Sequence, residues 1–298
     1  MSLFGLLASP VEIQTTFNEI PVRVKVSVKD KNGNLTKVPL FTKDEDVSGK
    51  VLVKPQKGKK VDHQGIKIEL IGHIEILNDK SQSTDFVSMS RELEPLGILS
   101  EDKTYDFNFT KVEKPYESYY GIGAQCKYFI RVTVNRGFAS KAIKEDEFAV
   151  HIIGAETSLT ENIRMEVGIE ECLHIEFEYN KSQYHLKDCV LGKVNFMLIK
   201  IKLKIMELQI IKKEIVGSGQ NAQTESETLF KYEVMDGGPT KNEIIPIRMF
   251  LKCIDLTPTY NNINNRFSVK YFLNLVLIDE DDRRYFKQHE IELWRNKI

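Results

Sequence analysis

The residue types that do chemistry are densest between positions 172 and 189. Cys172, His174, Glu176 and Glu178 occur at every second position. That spacing puts four metal-capable side chains on one face of a β-strand. Side chains on one strand face stand roughly parallel, so they do not converge tetrahedrally on one ion. The row reads as the polar face of a strand whose other face carries Leu173, Ile175, Phe177 and Tyr179. His185, Asp188 and Cys189 follow. Cysteine catalysis needs a thiolate beside an imidazole, and proximity in sequence establishes no such geometry. Gly217-Ser-Gly-Gln220 lacks the lysine of a phosphate loop, and Gly121-Ile-Gly123 lacks a third glycine opening a helix. Neither GxSxG nor HExxH occurs. No catalytic residue, metal site or cofactor is expected, and the chain does not read as an enzyme.

Binding features remain. Lys54-Pro-Gln-Lys-Gly-Lys-Lys60 is a basic loop suited to anionic headgroups or an acidic partner, or simply a solvated loop. Lys200, Lys202 and Lys204 read as a lysine row on one strand face. In Lys231-Tyr-Glu-Val-Met-Asp-Gly-Gly-Pro239, Val234 and Met235 directly precede a turn signal. On a loop tip they would form an exposed apolar anchor. At a strand end they would pack inward, and the pattern alone leaves both readings open. The run Asp279-Glu-Asp-Asp-Arg-Arg284, followed by Tyr285 and Phe286, reads as a hairpin turn or as an edge able to receive an extended peptide.

The elements that must position these residues are strands. Val plus Ile number 52 against 7 Ala, and β-branched residues fit pleated sheets whereas Ala favours helices. Period-two alternation runs through Val22 to Val28, Ile66 to Leu70, Tyr105 to Phe109, Ile130 to Val134, Leu173 to Tyr179 and Ile199 to Ile205. Turn signals punctuate these runs at Lys31-Asn-Gly-Asn34, Lys57-Gly58, Asn78-Asp79, Gly217-Ser-Gly219 and Asp236-Gly-Gly-Pro239. A short helix is expected only over Ser88 to Leu99, limited by Pro95 and Gly97. The fold class is all-β, antiparallel sandwich or barrel.

A quiet internal repeat sets the domain count. Gly49-Lys-Val recurs as Gly192-Lys-Val, Lys127-Tyr-Phe-Ile as Lys270-Tyr-Phe-Leu, and Glu147 to Val150 overlies Glu290 to Leu293, each at an offset of 143 residues. Two tandem β-sandwich domains are expected, 1–155 and 156–298, with a short polar linker near Gly154 to Ile163.

Charge and cysteine content bound the setting. Lys and Arg number 42 against 43 Asp and Glu, a balance unlike that of a nucleic-acid binder, so no nucleic-acid partner is expected. Met1 to Ala8 has no basic flank and is short, so no signal peptide is expected. Ser2 excludes N-myristoylation. No stretch approaches the ~20 apolar residues of a membrane span. Cys126, Cys172, Cys189 and Cys253 are widely spaced, as in a reducing cytoplasmic setting.

Longer motifs carry a family likeness. Val112-Glu-Lys-Pro-Tyr-Glu-Ser118, Met165 to Lys181, Tyr184-His-Leu-Lys-Asp188 and Phe267 to Asp279 closely resemble the vacuolar protein sorting-associated protein 26 family. Members of that family form the arrestin-like subunit of the retromer coat. The resemblance implies two arrestin-like β-sandwiches and a non-enzymatic role: selecting transmembrane cargo on the cytosolic face of endosomes for retrieval to the Golgi or plasma membrane. It implies three partners: an α-solenoid coat subunit, a sorting nexin with a phosphoinositide-binding domain, and the cytosolic tails of cargo. Membrane contact is then mainly indirect. The family's solenoid contact uses an apolar pair before Asp-Gly; here these are Val234, Met235, Asp236 and Gly237. This favours the exposed-anchor reading. The family's cargo and sorting-nexin site maps to Val167 and Phe286, by β-strand addition. The alternative is an arrestin-like adaptor outside retromer that recruits receptors to other trafficking machinery. Adaptors that recruit ubiquitin ligases favour Pro-Pro-x-Tyr motifs, which this chain lacks.

Overall fold

The computed structural model describes residues 10–18, 23–29, 33–137, 141–154, 163–169, 171–217, 219 and 222–296. The N-terminal stretch Met1 to Ala8, Val22, Lys31 and Asn32 of the first turn, Ser218, Gln220 and residues 155–162 of the expected linker lie outside them. Two compact units result, Met1–Ile152 and Ile153–Ile298.

In the first unit, β1 (Val11–Phe17), β4 (Val47–Pro55) and β9 (Lys103–Phe109) form a three-stranded antiparallel sheet in the order β1-β4-β9. The larger sheet runs β2 (Lys25–Lys29), β3 (Leu35–Thr42), β12 (Ala142–His151), β11 (Ala124–Val134), β6 (Ile66–Ile76), β7 (Thr84–Glu94), with β10 (Tyr119–Tyr120) on β11. A separate short ribbon pairs β5 (Val61–His63) with β8 (Gly97–Leu99). Alternation explains the core. Val47, Val51, Phe107 and Phe109 face Ile68, Leu70, Ile130 and Phe148 in one buried cluster. Each fully buried aliphatic or aromatic side chain contributes about 1.5–3 kcal/mol.

The second unit repeats the plan. A four-stranded sheet runs β13 (Ile163–Ile169), β14 (Leu173–Tyr179), β16 (Cys189–Ile199), β19 (Ile244–Phe250). Its partner sheet runs β15 (Gln183–His185), β22 (Arg284–Trp294), β21 (Phe267–Asp279), β17 (Leu203–Val216), β18 (Gln223–Asp236), with β20 (Tyr260–Ile263) on β21. A hydrogen bond between Tyr179 Oη and His289 Nδ1 ties the two sheets together.

The offset of 143 reappears in the strand register. The parallel pair Leu40↔Ala149 of β3 and β12 is matched by Gln183↔Glu292 of β15 and β22. Tyr128 and Tyr271, fully buried repeat positions on β11 and β21, each anchor an upstream loop. Tyr128 Oη donates to Tyr116 O at 2.7 Å, and Tyr271 Oη accepts from the Thr257 amide at 3.1 Å.

Two local expectations are corrected. Ser88 to Leu99 is not helical: β7 and β8 occupy it, and Pro95 separates them. β7 pairs with β6, which would otherwise present an unpaired backbone edge. The register shift at Ile66/Lys67 makes Leu93 the extra residue of a bulge, packed against the core, while Ser88 to Glu92 are all exposed, so the segment shows no period-two pattern. The lysine row is also absent. β16 ends at Ile199 and β17 begins at Leu203, so the chain bends through residues 200–202. Lys202 pairs with Glu280 and Lys204 with Asp282.

Candidate functional site

The apolar pair expected as an anchor ends an edge strand. β18 is the terminal strand of its sheet, and Met235 lies opposite Met206 while Glu233 lies opposite Glu207. Val234 is therefore the extra residue of a β-bulge, a device that re-aims side chains at sheet edges. Both Val234 and Met235 are half-buried, so neither rides on a loop tip. Met235 shares a sheet face with Met206, which is fully buried. Asp236 and Gly237 are exposed. Gly237 has φ +103°, a backbone region open to glycine, and its amide donates to Lys204 O at 2.7 Å. The turn that follows is thus fixed directly after the pair.

The expected cargo residues lie on two neighbouring strands of different sheets, away from β18. β13 is the terminal strand of the four-stranded sheet and lies against β22. Val167 is only 6% exposed, so its side chain belongs to the core. What β13 offers a ligand is its backbone edge, which no strand among the described residues pairs. Phe286 is 63% exposed near the start of β22, opposite Val276. β15 pairs only with Glu292 to Trp294, so among the described residues no strand covers Arg284 to Ile291 on that side.

Asp279 braces the turn that leads into β22, a role that sequence reasoning missed. It is 1% exposed. Its Oδ1 accepts the amides of Asp281 (3.0 Å) and Arg283 (2.9 Å). Its Oδ2 accepts Arg283 Nε (2.7 Å) and Tyr285 Oη (2.9 Å). The available signal was an Asp at the head of the acidic run, since Asx side chains bind the backbone two residues on. Burial works against ionisation of Asp279, but the Arg283 amide, the Tyr285 hydroxyl and the Arg283 guanidinium outweigh it and hold the carboxyl below its ordinary 3.8. A depressed folded-state value means the contribution is complete above about pH 4 and is lost as pH falls through that value. Amide protection at Asp281 and Arg283 is therefore expected to hold from neutral pH to about pH 4 and to decline below it. Asp279→Ala is expected to lose that protection already at neutral pH. Hydrogen exchange corrected for intrinsic rates reads both outcomes.

The chemical candidates do not assemble. Glu176 lies opposite Glu166 and Asn195, and Glu178 pairs with Lys193, along an open strand face. Among the described residues no group of three or more His, Cys, Asp or Glu is arranged to hold a metal ion. Asp188 is held by Lys181 and by the Cys189 amide. His185 instead accepts the Lys187 amide and packs edge-on against Trp294. Among the described residues no helix is long and apolar enough to cross a membrane.

Comparison with known proteins places these features in a lineage. The family described as vacuolar protein sorting-associated protein 26 matches residues 7–282. Vacuolar protein sorting-associated protein 26B of Arabidopsis thaliana is 50% identical over 295 residues, covering 99% of this chain and 97% of that protein. Vacuolar protein sorting-associated protein 26 of Dictyostelium discoideum is 49% identical over 292 residues, covering 97% and 83%. The human 26B protein is 49% identical over 296 residues, covering 99% and 88%.

Proposed function

The chain belongs to the vacuolar protein sorting-associated protein 26 family, and from that premise we propose that it is a non-enzymatic, arrestin-like subunit of the retromer coat. It joins an α-solenoid subunit to cargo and acts on the cytosolic face of endosomes, retrieving transmembrane proteins to the Golgi and the plasma membrane. It reaches the membrane chiefly through partners, including a sorting nexin that binds phosphoinositides.

One observation carries this reading: Phe286 and the bulged end of β18 stand on opposite sides of one sheet, and β13, the terminal strand of the other sheet, packs beside the strand that carries Phe286. Phe286 of β22 lies opposite Val276, Val276 opposite Glu207, and Glu207 opposite Glu233, one residue before the bulge in β18. Three strand spacings separate the edges, roughly 14 Å. A solenoid end seated on Val234 and Met235 therefore leaves the β13 and Phe286 edge open for a second ligand. At that edge an extended cargo tail pairs with the backbone of β13 and rests on the Phe286 ring. Backbone pairing supplies affinity that tolerates many sequences, while the ring selects an apolar side chain.

Phe286→Ala removes the ring without touching the core. A cargo-tail peptide titrated against the chain with its sorting nexin is expected to bind about tenfold more weakly to this variant, the loss of one aromatic anchor. Unchanged affinity contradicts the assignment.

A further inference from the structure

We propose that the edge of β2 in the first unit accepts an acidic partner segment as an added strand, one whose Asp or Glu residues fall at alternate positions. The backbone of the segment bonds to the open edge of β2, and its carboxylates meet the ammonium groups of Lys25, Lys29 and Lys37.

Local charge sets this edge apart. The chain as a whole holds 42 Lys and Arg against 43 Asp and Glu, yet Arg23 to Thr42 carries five basic residues and one acid, Asp30. Alternation sorts them along the β2–β3 hairpin. Val26, Val28, Val38 and Leu40 turn to one face and pack with Ala149 and Tyr120. Lys25, Ser27 and Lys29 take the other face, with Lys37 opposite Ser27. Lys25, Lys29 and Lys37 are exposed, and among the described residues none of them pairs with a carboxylate. Other lysines of this unit do: Lys67 with Glu69 at 2.8 Å, Lys103 with Glu94 at 2.6 Å and Lys127 with Glu75 at 2.9 Å. The valine face thus fixes the hairpin, and the lysine face stays cationic and uncompensated.

The backbone supplies the second half. β2 is the terminal strand of its sheet, and among the described residues no strand pairs its outer edge. The Leu40 amide donates to Val24 O at 2.9 Å, continuing the β2–β3 register. Hydrogen-bonded pairs alternate in an antiparallel ladder, so Val26 and Val28 also turn their amides and carbonyls to β3. Lys25, Ser27 and Lys29 point theirs outward. The residues of the cationic face are therefore the ones that offer free backbone. Ligand residues opposite them project to the same side, which places the acids at every second position.

Lysines on an edge keep most strands away. An acidic strand reverses that effect, because opposite charges across a strand pair attract where like charges repel. The edge also chooses between a strand and an anionic bilayer. Phosphate oxygens accept hydrogen bonds and donate none, so they offer nothing to the outward carbonyls of Lys25, Ser27 and Lys29. A strand supplies a donor and an acceptor together.

The test uses the full chain, deuterated and labelled with ¹⁵N, titrated with the blocked peptide acetyl-Thr-Glu-Val-Glu-Val-Glu-Thr-amide. Support requires saturable binding that weakens as salt rises, with downfield shifts of the Lys25, Ser27 and Lys29 amide protons larger than those of Val26 and Val28. The double variant Lys25→Glu, Lys29→Glu is expected to bind at least about tenfold more weakly, and to accept instead the peptide with Lys in place of Glu. Ser27→Pro removes the central outward amide and no ladder bond, so the melting temperature is expected to hold while binding falls at least about tenfold. Undiminished binding by Ser27→Pro overturns strand addition, as does equal binding of a peptide of the same composition whose three acids are contiguous. Undiminished binding by the charge-reversed variant overturns the acidic partner. Binding to phosphatidylserine vesicles but not to the peptide overturns the proposal in favour of a bilayer.

Discussion

Met235→Asp is expected to weaken binding of the chain to the proposed α-solenoid subunit by about a hundredfold, consistent with loss of a central apolar anchor. Met235 is half-buried on the face that carries the fully buried Met206, and the bulge at Val234 places both side chains at the open end of the sheet. A partner closing over that end would bury the rest of Met235. Aspartate there would carry an unpaired charge into the interface, and desolvating it is costly without a counter-ion. The same change weakens the strand end modestly, by about 1–2 kcal/mol. The melting temperature is therefore expected to fall by a few degrees rather than collapse. Met235→Leu conserves volume and is expected to keep both fold and binding. Calorimetric titration beside thermal melts separates the two effects, and full binding by Met235→Asp would contradict the anchor.

The second large effect concerns the fold. At Gly49 an added Cβ would lie 2.2 Å from Thr16 O and 2.8 Å from the Phe107 ring. Thr16 belongs to β1 and Phe107 to β9, the two strands flanking β4. Relief therefore requires the backbone of β1 to move, and Gly49→Ala is expected to cost about 3 kcal/mol. For a unit of this size the melting temperature falls by about 10 °C. Gly192 repeats the geometry in the second unit, with Glu178 O at 2.7 Å and the Phe177 ring at 2.9 Å. Gly192→Ala is expected to be milder because its backbone clash is less severe. Hydrogen exchange mapped along the chain is expected to place each loss of protection in the unit that carries the change. Wild-type melting by either variant would contradict the packing argument.

The repeat glycines also show why so much of the fold was legible. A glycine squeezed between strands, a tyrosine anchoring a loop and alternation of Val and Ile are local patterns with one physical meaning, and two copies at one offset reinforce each other. Ser88 to Leu99 was misread because bulges break the alternation that marks a strand. The bulge at Val234 escaped notice for a related reason: an extra residue shows only against the partner strand. Asp279 was visible as part of a turn, but its four hydrogen-bond partners depend on how that turn closes. Val167 lies on an edge strand with its side chain in the core, so what the position can offer a ligand is its backbone, the group that β-strand addition uses.

In the proposed assembly the second unit docks an α-solenoid coat subunit through the bulged end of β18. Titrating the purified chain into its cognate solenoid subunit tests it most directly. Saturable one-to-one binding that survives Phe286→Ala and is lost with Met235→Asp is the expected result. Absence of binding by the wild-type chain, or binding lost with Phe286→Ala and untouched by Met235→Asp, would contradict it.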